Sequence, residues 1–242
     1  MTRRRRPPGW VPNQHGAWAM LASPLAVGAL AAGLSWRHVP LVAFWFAGYF
    51  AFFATSLWLK SGRRSRYLPP VRAYAALAAV LGVATLFAAP SLVGWAPGFL
   101  GPLGVGLWAA AHKHERELLS GLATVVGSAL MTVVAYEAGG GPDLRRAGLL
   151  ALGQFLYFGG TVCYVKSLIR ERGNPRYLAL SVAWHVAAAA AMVVYSPWLA
   201  LVFAVLALRA AVVPRFGLSP AQIGVGEIAG TLAVALVSLA TL

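Results

Sequence analysis

The stretch Gly106-Leu-Trp-Ala-Ala-Ala-His112-Lys-His-Glu-Arg-Glu117-Leu-Leu-Ser-Gly-Leu-Ala123 sets two apolar runs around six consecutive polar residues. Those six hold two of the five histidines and two of only six acids in the chain. An oily chain concentrates charge in this way to reach water between two membrane spans, or to do chemistry. The surroundings favour the first. Of 242 residues, 60% are apolar and 11% charged, with a mean hydropathy of +0.71. Soluble domains carry about 25% charged residues. A core of this size cannot hide so much apolar surface, so the chain reads as a polytopic membrane protein.

Outward from that stretch, apolar runs of spanning length recur, a span needing about 20 residues. The runs predict helices over about 17–34, 39–58, 72–89, 98–111, 118–136 and 144–165. Pro24 falls inside the first and is tolerable if a neighbouring helix pairs the freed carbonyl. Three more starts are marked by a capping residue followed by proline: Asn174-Pro175, Ser196-Pro197 and Ser219-Pro220. Ser219 and Gln222 also fit a capping box. Nine spans result. The opening Met1-Thr-Arg-Arg-Arg-Arg then precedes an uncleaved first helix and not a signal peptide.

Charge tests the count. With the N-terminus inside, seventeen cations fall inside: Arg3 to Arg6, Lys60, Arg63, Arg64, Arg66, Arg72, Lys113, Arg116, Lys166, Arg170, Arg172, Arg176, Arg209 and Arg215. Only Arg37, Arg145 and Arg146 fall outside. This asymmetry follows the positive-inside rule. It also accounts for the net charge of +14 without nucleic acid. The single cysteine, Cys163, excludes an internal disulfide.

The only three lysines are Lys60, Lys113 and Lys166, 53 residues apart each time, each with an arginine about one turn on: Arg63, Arg116 and Arg170. Residues three or four apart share a helix face. The pattern predicts Lys/Arg pairs at one depth at the inner ends of helices 2, 4 and 6. Such pairs serve topology and the helix C-terminal dipole. If the three ends converge, they form a cationic cup for a phosphate, diphosphate or carboxylate, with Arg64 as a further fork.

Four segments carry a family resemblance. Pro12-Asn-Gln-His15-Gly16-Ala17-Trp18-Ala19-Met20, Lys113-His-Glu115-Arg116-Glu-Leu118-Leu119, Tyr164-Val-Lys166-Ser-Leu-Ile-Arg170-Glu171-Arg172-Gly173-Asn174 and Gln222-Ile223-Gly224-Val-Gly-Glu227-Ile228 resemble signatures of the YwiC-like membrane proteins. That family implies no particular activity. More distantly, nine helices with charged loops after helices 2, 4 and 6 resemble the UbiA prenyltransferase architecture. There, Asp-rich motifs after helices 2 and 6 hold magnesium and a prenyl diphosphate. Here the first place reads Thr55-Ser-Leu-Trp58-Leu-Lys60-Ser-Gly-Arg63-Arg64, without an acid, and the second has only Glu171. No magnesium site carries over.

Other polar residues are candidates for chemistry. His112 and His114 are two apart and diverge on a helix; His112 and Glu115 share a face but lack a third ligand. Glu117, four from Lys113, is placed to pair with it. Asn13 and His15, beside Trp10 and Trp18, fit an interface anchor or a polar wedge lining the cup. His185 and Gln154 lie deep in helices 7 and 6, where polar groups seek partners across helices. Glu227, seven residues into helix 9, is placed to pair with a cation of the cup. Glu171 and Gln222 complete the supporting polar set. Glu137 and Asp143 serve local structure.

The expected fold is all-α, a polytopic membrane bundle of nine transmembrane helices with UbiA-like topology. Residues 1–16 form a basic cytoplasmic segment, and 17–242 a single transmembrane domain. The expected location is the cell membrane, N-terminus cytoplasmic and C-terminus outside. The expected function is binding of an isoprenoid diphosphate or other anionic lipid in a cytoplasmic-side cationic cavity, with no metal, no cofactor and no assigned catalytic residue. The alternatives are a small-anion or metabolite transporter, which predicts polar residues through both leaflets where the outer half shows few, and a non-catalytic assembly partner.

Overall fold

A computed structural model describes residues 9–12 and 16–242. Among them it holds nine α-helices, three short 3-10 helices and no strand. The α-helices are α1 (Ala17–Ala32), α2 (His38–Lys60), α3 (Leu68–Ala88), α4 (Ala96–His112), α5 (Leu118–Ala138), α6 (Leu144–Ile169), α7 (Pro175–Val193), α8 (Pro197–Val212) and α9 (Pro220–Thr241). Eight, counted with the 3-10 turns that extend three of them, are long and apolar enough to cross a membrane. The ninth, α1, has 16 residues, about 24 Å at 1.5 Å per residue. α3 buries only Pro70 and Thr85 while Val80 and Phe87 stand out at 67% and 84% exposure. Water would not tolerate such a helix face, but lipid does. The chain is a multi-pass membrane protein.

The helix starts follow from local chemistry. Asn174, Ser196 and Ser219 each accept a first-turn backbone N–H ahead of a proline. Ser219 and Gln222 complete the capping box in both directions. Asp143 caps α6 through the N–H groups of Arg145 and Arg146. The third helix starts four residues before the expected Arg72, because Pro69 and Pro70 occupy its first turn, where a missing N–H costs nothing.

The described helices fall into two compact units. The first holds α2, α3, α4 and the first turns of α5; the second holds α1, the rest of α5 and α6 to α9. In the second, Tyr157, Phe158, Met192, Leu199, Phe203 and Val234 form the apolar core. α1 runs through Pro24 unbroken. Pro24 cannot donate to the Met20 carbonyl four residues back, and the Ser128 hydroxyl of α5 donates to that carbonyl instead. One helical stretch further on, Gly28 lies against the Thr132 carbonyl so closely that a Cβ would overlap it. Glycine is therefore what lets α1 dock on α5.

The 53-residue lysine spacing is not kept in structural register. Lys60 is the last residue of α2, Lys113 lies one past the end of α4, and Lys166 lies three before the end of α6. The helix ends explain the slip. After α2 the left-handed position is Gly62, with Arg63 also at positive φ. After α4 it is Lys113 itself, at φ 63. Each end closes by the same pair of bonds: Gly62 N–H to Leu59 O and Arg63 N–H to Trp58 O, and Lys113 N–H to Ala110 O and His114 N–H to Ala109 O. Lys60/Arg63 and Lys113/Arg116 are thus not pairs on a helical face. Only Lys166 and Arg170, whose backbone stays helical, keep that relation.

Candidate functional site

In the first unit the α2–α3 turn and the end of α4 border an open, shallow cavity of about 390 Å³. Lys60, Arg64, Arg66 and Lys113 line it, with Tyr67. Its volume sits near the low end of the roughly 300–1,000 Å³ range of ligand pockets. Lys60 Nζ lies 2.8 Å from Glu115 Oε2, both partly exposed, a contact worth about 0.2–1 kcal/mol after solvent screening. Arg66 turns its guanidinium over the Tyr67 ring at 5.0 Å. Of the expected cup residues, Lys60, Arg64 and Lys113 therefore meet in one place. Arg63 instead approaches the Trp58 ring at 5.9 Å, and Arg116, in the turn before α5, is not among the lining residues. Lys166 and Arg170 border a separate, smaller cavity in the second unit, about 190 Å³, with Val165 and Ile169. Lys166 Nζ also lies 5.8 Å from the Tyr177 ring.

The residues 112–117 divide among different partners. His112 Nδ1–H donates to the Trp108 carbonyl at 2.8 Å. Glu115 goes to Lys60. Glu117 pairs with His114 and not with Lys113, because Lys113 leaves the helix in the left-handed conformation and the four-residue relation is lost. In the second unit Glu171 accepts from the Asn174 side chain at 2.9 Å, and Gln222 is spent on its capping box. Asn13 and His15 lie outside the described residues.

A second polar cluster lies in the second unit. Glu227 of α9 does not meet a lysine of the helix ends; Arg209 of α8 faces it, Nη1 2.8 Å from Oε1, with the two side chains 17% and 14% exposed. The Thr161 hydroxyl donates to Glu227 Oε2 at 2.7 Å, and the Tyr157 hydroxyl lies 3.2 Å from the same oxygen. Thr231 Oγ–H lies 3.2 Å from the Tyr157 oxygen. Beneath the guanidinium is the Tyr164 ring, 4.2 Å from Arg209 Cζ. Arg209 Nε and Nη2 are buried and have no hydrogen-bond partner among the described residues. A Cβ on Gly230 would stand 2.7 Å from the Tyr157 oxygen, so glycine there admits the phenol.

His185 of α7 is fully buried, its Nδ1 bonded to the Ser181 carbonyl at 2.7 Å. It stands within electrostatic reach of Arg209 and Glu227. Gln154 is fully buried and accepts from Ser23 of α1 at 2.9 Å.

The sequence reading missed Arg209, Tyr157, Thr161, Tyr164 and Thr231. Arg209 lies three residues before the end of α8, where a cation reads as an ordinary inner-end charge. A signal was present in spacing. Gln154, Tyr157, Thr161 and Tyr164 recur at three and four residues, as do Glu227 and Thr231, which aligns each set on one face.

The signature-like segments 164–174 and 222–228 thus meet physically, through the Tyr164 ring, Arg209 and Glu227. No solved structure matches the chain. A family model described as YwiC-like protein matches residues 11–136. An "Uncharacterized protein" of Haemophilus influenzae is 31% identical over 222 residues, covering 91% of this chain and 93% of the relative. The "Uncharacterized protein YwiC" of Bacillus subtilis is 32% identical over 177 residues, covering 73% and 74%. These matches make the chain, with its long apolar helices, a member of the YwiC-like protein family.

Proposed function

We propose that this protein binds the phosphate or diphosphate headgroup of an anionic lipid in the cavity between the α2–α3 turn and the end of α4. One observation carries the reading: Lys60, Arg64, Arg66 and Lys113 line a single cavity. The nearest described acid, Glu115, offsets one of the four charges. Arg offers a planar fork to phosphate oxygens and Lys a mobile point charge. Beside a bilayer each adds about 1 kcal/mol of attraction to an anionic surface. Fixed cations of this kind do the neutralising that magnesium does where acids are present. The distribution of Lys and Arg supports a cytoplasmic-side location for this end. An isoprenoid diphosphate is the version of this reading that the distant sequence resemblance to UbiA prenyltransferases supports.

Native mass spectrometry of the purified protein with its co-purified lipids, with and without magnesium, tests this. The wild type is expected to retain phosphate-bearing anionic lipid irrespective of magnesium. Lys60→Ala/Lys113→Ala is expected to lose about tenfold in retention, the equivalent of 1.4 kcal/mol. Equal retention by the folded double variant, or no preference over zwitterionic lipid, would defeat the reading.

A further inference from the structure

The second unit contains more buried polarity than anion binding at the first unit's cavity needs. On α9, Glu227, Thr231, Ser238 and Thr241 follow one another at intervals of four, seven and three residues, with Val234 between them. This is one helix face, and Thr231, Val234 and Ser238 on it are buried. From Glu227 to Thr241 it extends about 21 Å at the helical rise, against a hydrocarbon core of about 30 Å. α6 presents the matching face, Gln154, Tyr157 and Thr161, to the same interior.

Hydrogen bonds, one ion pair and close packing group these residues in three clusters, Ser238 Oγ itself having no hydrogen-bond partner among the described residues. At one end Arg209, Glu227, Thr161, Tyr157 and Thr231 are linked as described above. One turn from Tyr157, Gln154 holds the Ser23 hydroxyl, and Ser238 Oγ lies against Gly153, where a Cβ would be 3.4 Å away. At the far end Thr241 Oγ1 meets Ser196 Oγ at 2.7 Å. Polar side chains inside a membrane helix are expensive, and an ionisable one marks an ion or proton route more often than a structural need. Here a carboxylate stands at one end of a row of hydroxyl and amide groups that reaches the opposite end of the bundle.

We infer that the second unit is a proton pathway, with Glu227 as its proton-binding group and the α6–α9 polar faces as its conduit. In the inner cluster the Tyr157 and Thr231 hydroxyls both donate to the Glu227 backbone carbonyl, at 2.7 and 2.8 Å. Each lies 3.2 Å from its next acceptor, Glu227 Oε2 for Tyr157 and the Tyr157 oxygen for Thr231. Swung onto those contacts, they form a relay whose acceptor is the Glu227 carboxylate. A proton delivered to Thr231 Oγ1 forms a new O–H bond there while the original Thr231 proton passes to Tyr157. The phenol proton in turn forms the O–H bond of Glu227. The carboxylate becomes neutral, each hydroxyl regains its proton, and Arg209 keeps its charge. Release of that proton toward the α8–α9 connection restores the ion pair. The row is interrupted for one turn by Val234, buried in the apolar core, and the pathway requires water to enter there when it conducts. The titratable and charged groups facing Glu227 are Arg209 from α8, Tyr157 and Tyr164 from α6 and His185 from α7; α1, over residues 17–32, brings none.

The full-length protein reconstituted in liposomes with trapped pyranine, under a potassium diffusion potential set by valinomycin, tests the pathway. Wild-type protein is expected to acidify or alkalinise the lumen faster than protein-free vesicles, with a direction that follows the potential. Tyr157→Phe keeps the ring but breaks the relay, and Arg209→Gln/Glu227→Gln removes both charges without stranding one. Each is expected to lower flux about a hundredfold or to the protein-free rate. Wild-type flux no greater than that of empty vesicles overturns the inference. So does undiminished flux in either variant once circular dichroism shows it folded. Tyr157→Phe loses only one hydroxyl, so it supplies the answer if the double variant does not fold.

Discussion

Replacing Glu227 by glutamine weighs the buried ion pair directly. Glutamine keeps the volume of the side chain and an oxygen for the Thr161 and Tyr157 hydroxyls. It leaves the Arg209 guanidinium without its counter-charge, 83% buried by the complement of its 17% exposure. Breaking one side of such a pair costs about 3–5 kcal/mol, because a desolvated charge is left alone. The Tyr164 ring, 4.2 Å from Cζ, stays in place and softens the loss, so the lower figure, about 3 kcal/mol, is expected. Arg209→Gln should cost a similar amount by stranding the carboxylate. The double variant strands neither charge, and replacing both members of a buried pair is often close to neutral. The expected signature is therefore strong non-additivity, a coupling of about 6 kcal/mol, because the double variant costs close to nothing where the two singles would sum to about 6. Unfolding by SDS titration in mixed micelles, followed by far-UV circular dichroism, measures all four corners of the cycle. Additivity of the single variants to within about 0.5 kcal/mol would refute the pair as a stabilising unit.

Two further outcomes follow from the same geometry. Gly28→Ala should loosen α1 from α5 at a cost of about 1–3 kcal/mol, the usual range for overpacking, because its Cβ would overlap the Thr132 carbonyl; an unchanged SDS midpoint would show that the backbone contact is not tight. Since Cys163 is the only cysteine and is buried, new cysteines at Arg64→Cys and Arg172→Cys can be labelled with little background; an impermeant maleimide should reach both from the same side of the membrane, and labelling from opposite sides would break the seventeen-to-three charge arrangement.

Much of the architecture was legible one helix at a time. The starts of α7, α8 and α9 were readable because a capping side chain and a proline act within four residues of each other. The partner for the carbonyl freed by Pro24 was foreseeable as a requirement but not as Ser128, since the two lie more than one hundred residues apart. The lysine repeat was legible as spacing and misleading as geometry. Counting residues assumes that a helix continues, and the left-handed turns at Gly62 and Lys113 end it at different points. Glu227 stood out as an acid deep in an apolar helix, but its partner was sought among the lysine-bearing ends.

The sequence by itself determined that this chain crosses a membrane many times, where most helices begin and end, and that it belongs with the YwiC-like proteins. These properties rest on hydropathy, capping and local motif, all of which act within a few residues. Only the tertiary structure decided which charges meet: Lys60, Arg64, Arg66 and Lys113 around one cavity, and Arg209 with Glu227 over Tyr164. The physical reason is that a charge in an apolar segment must find a partner or reach water. Which of these it does depends on how the helices rotate about their axes, and packing sets that rotation.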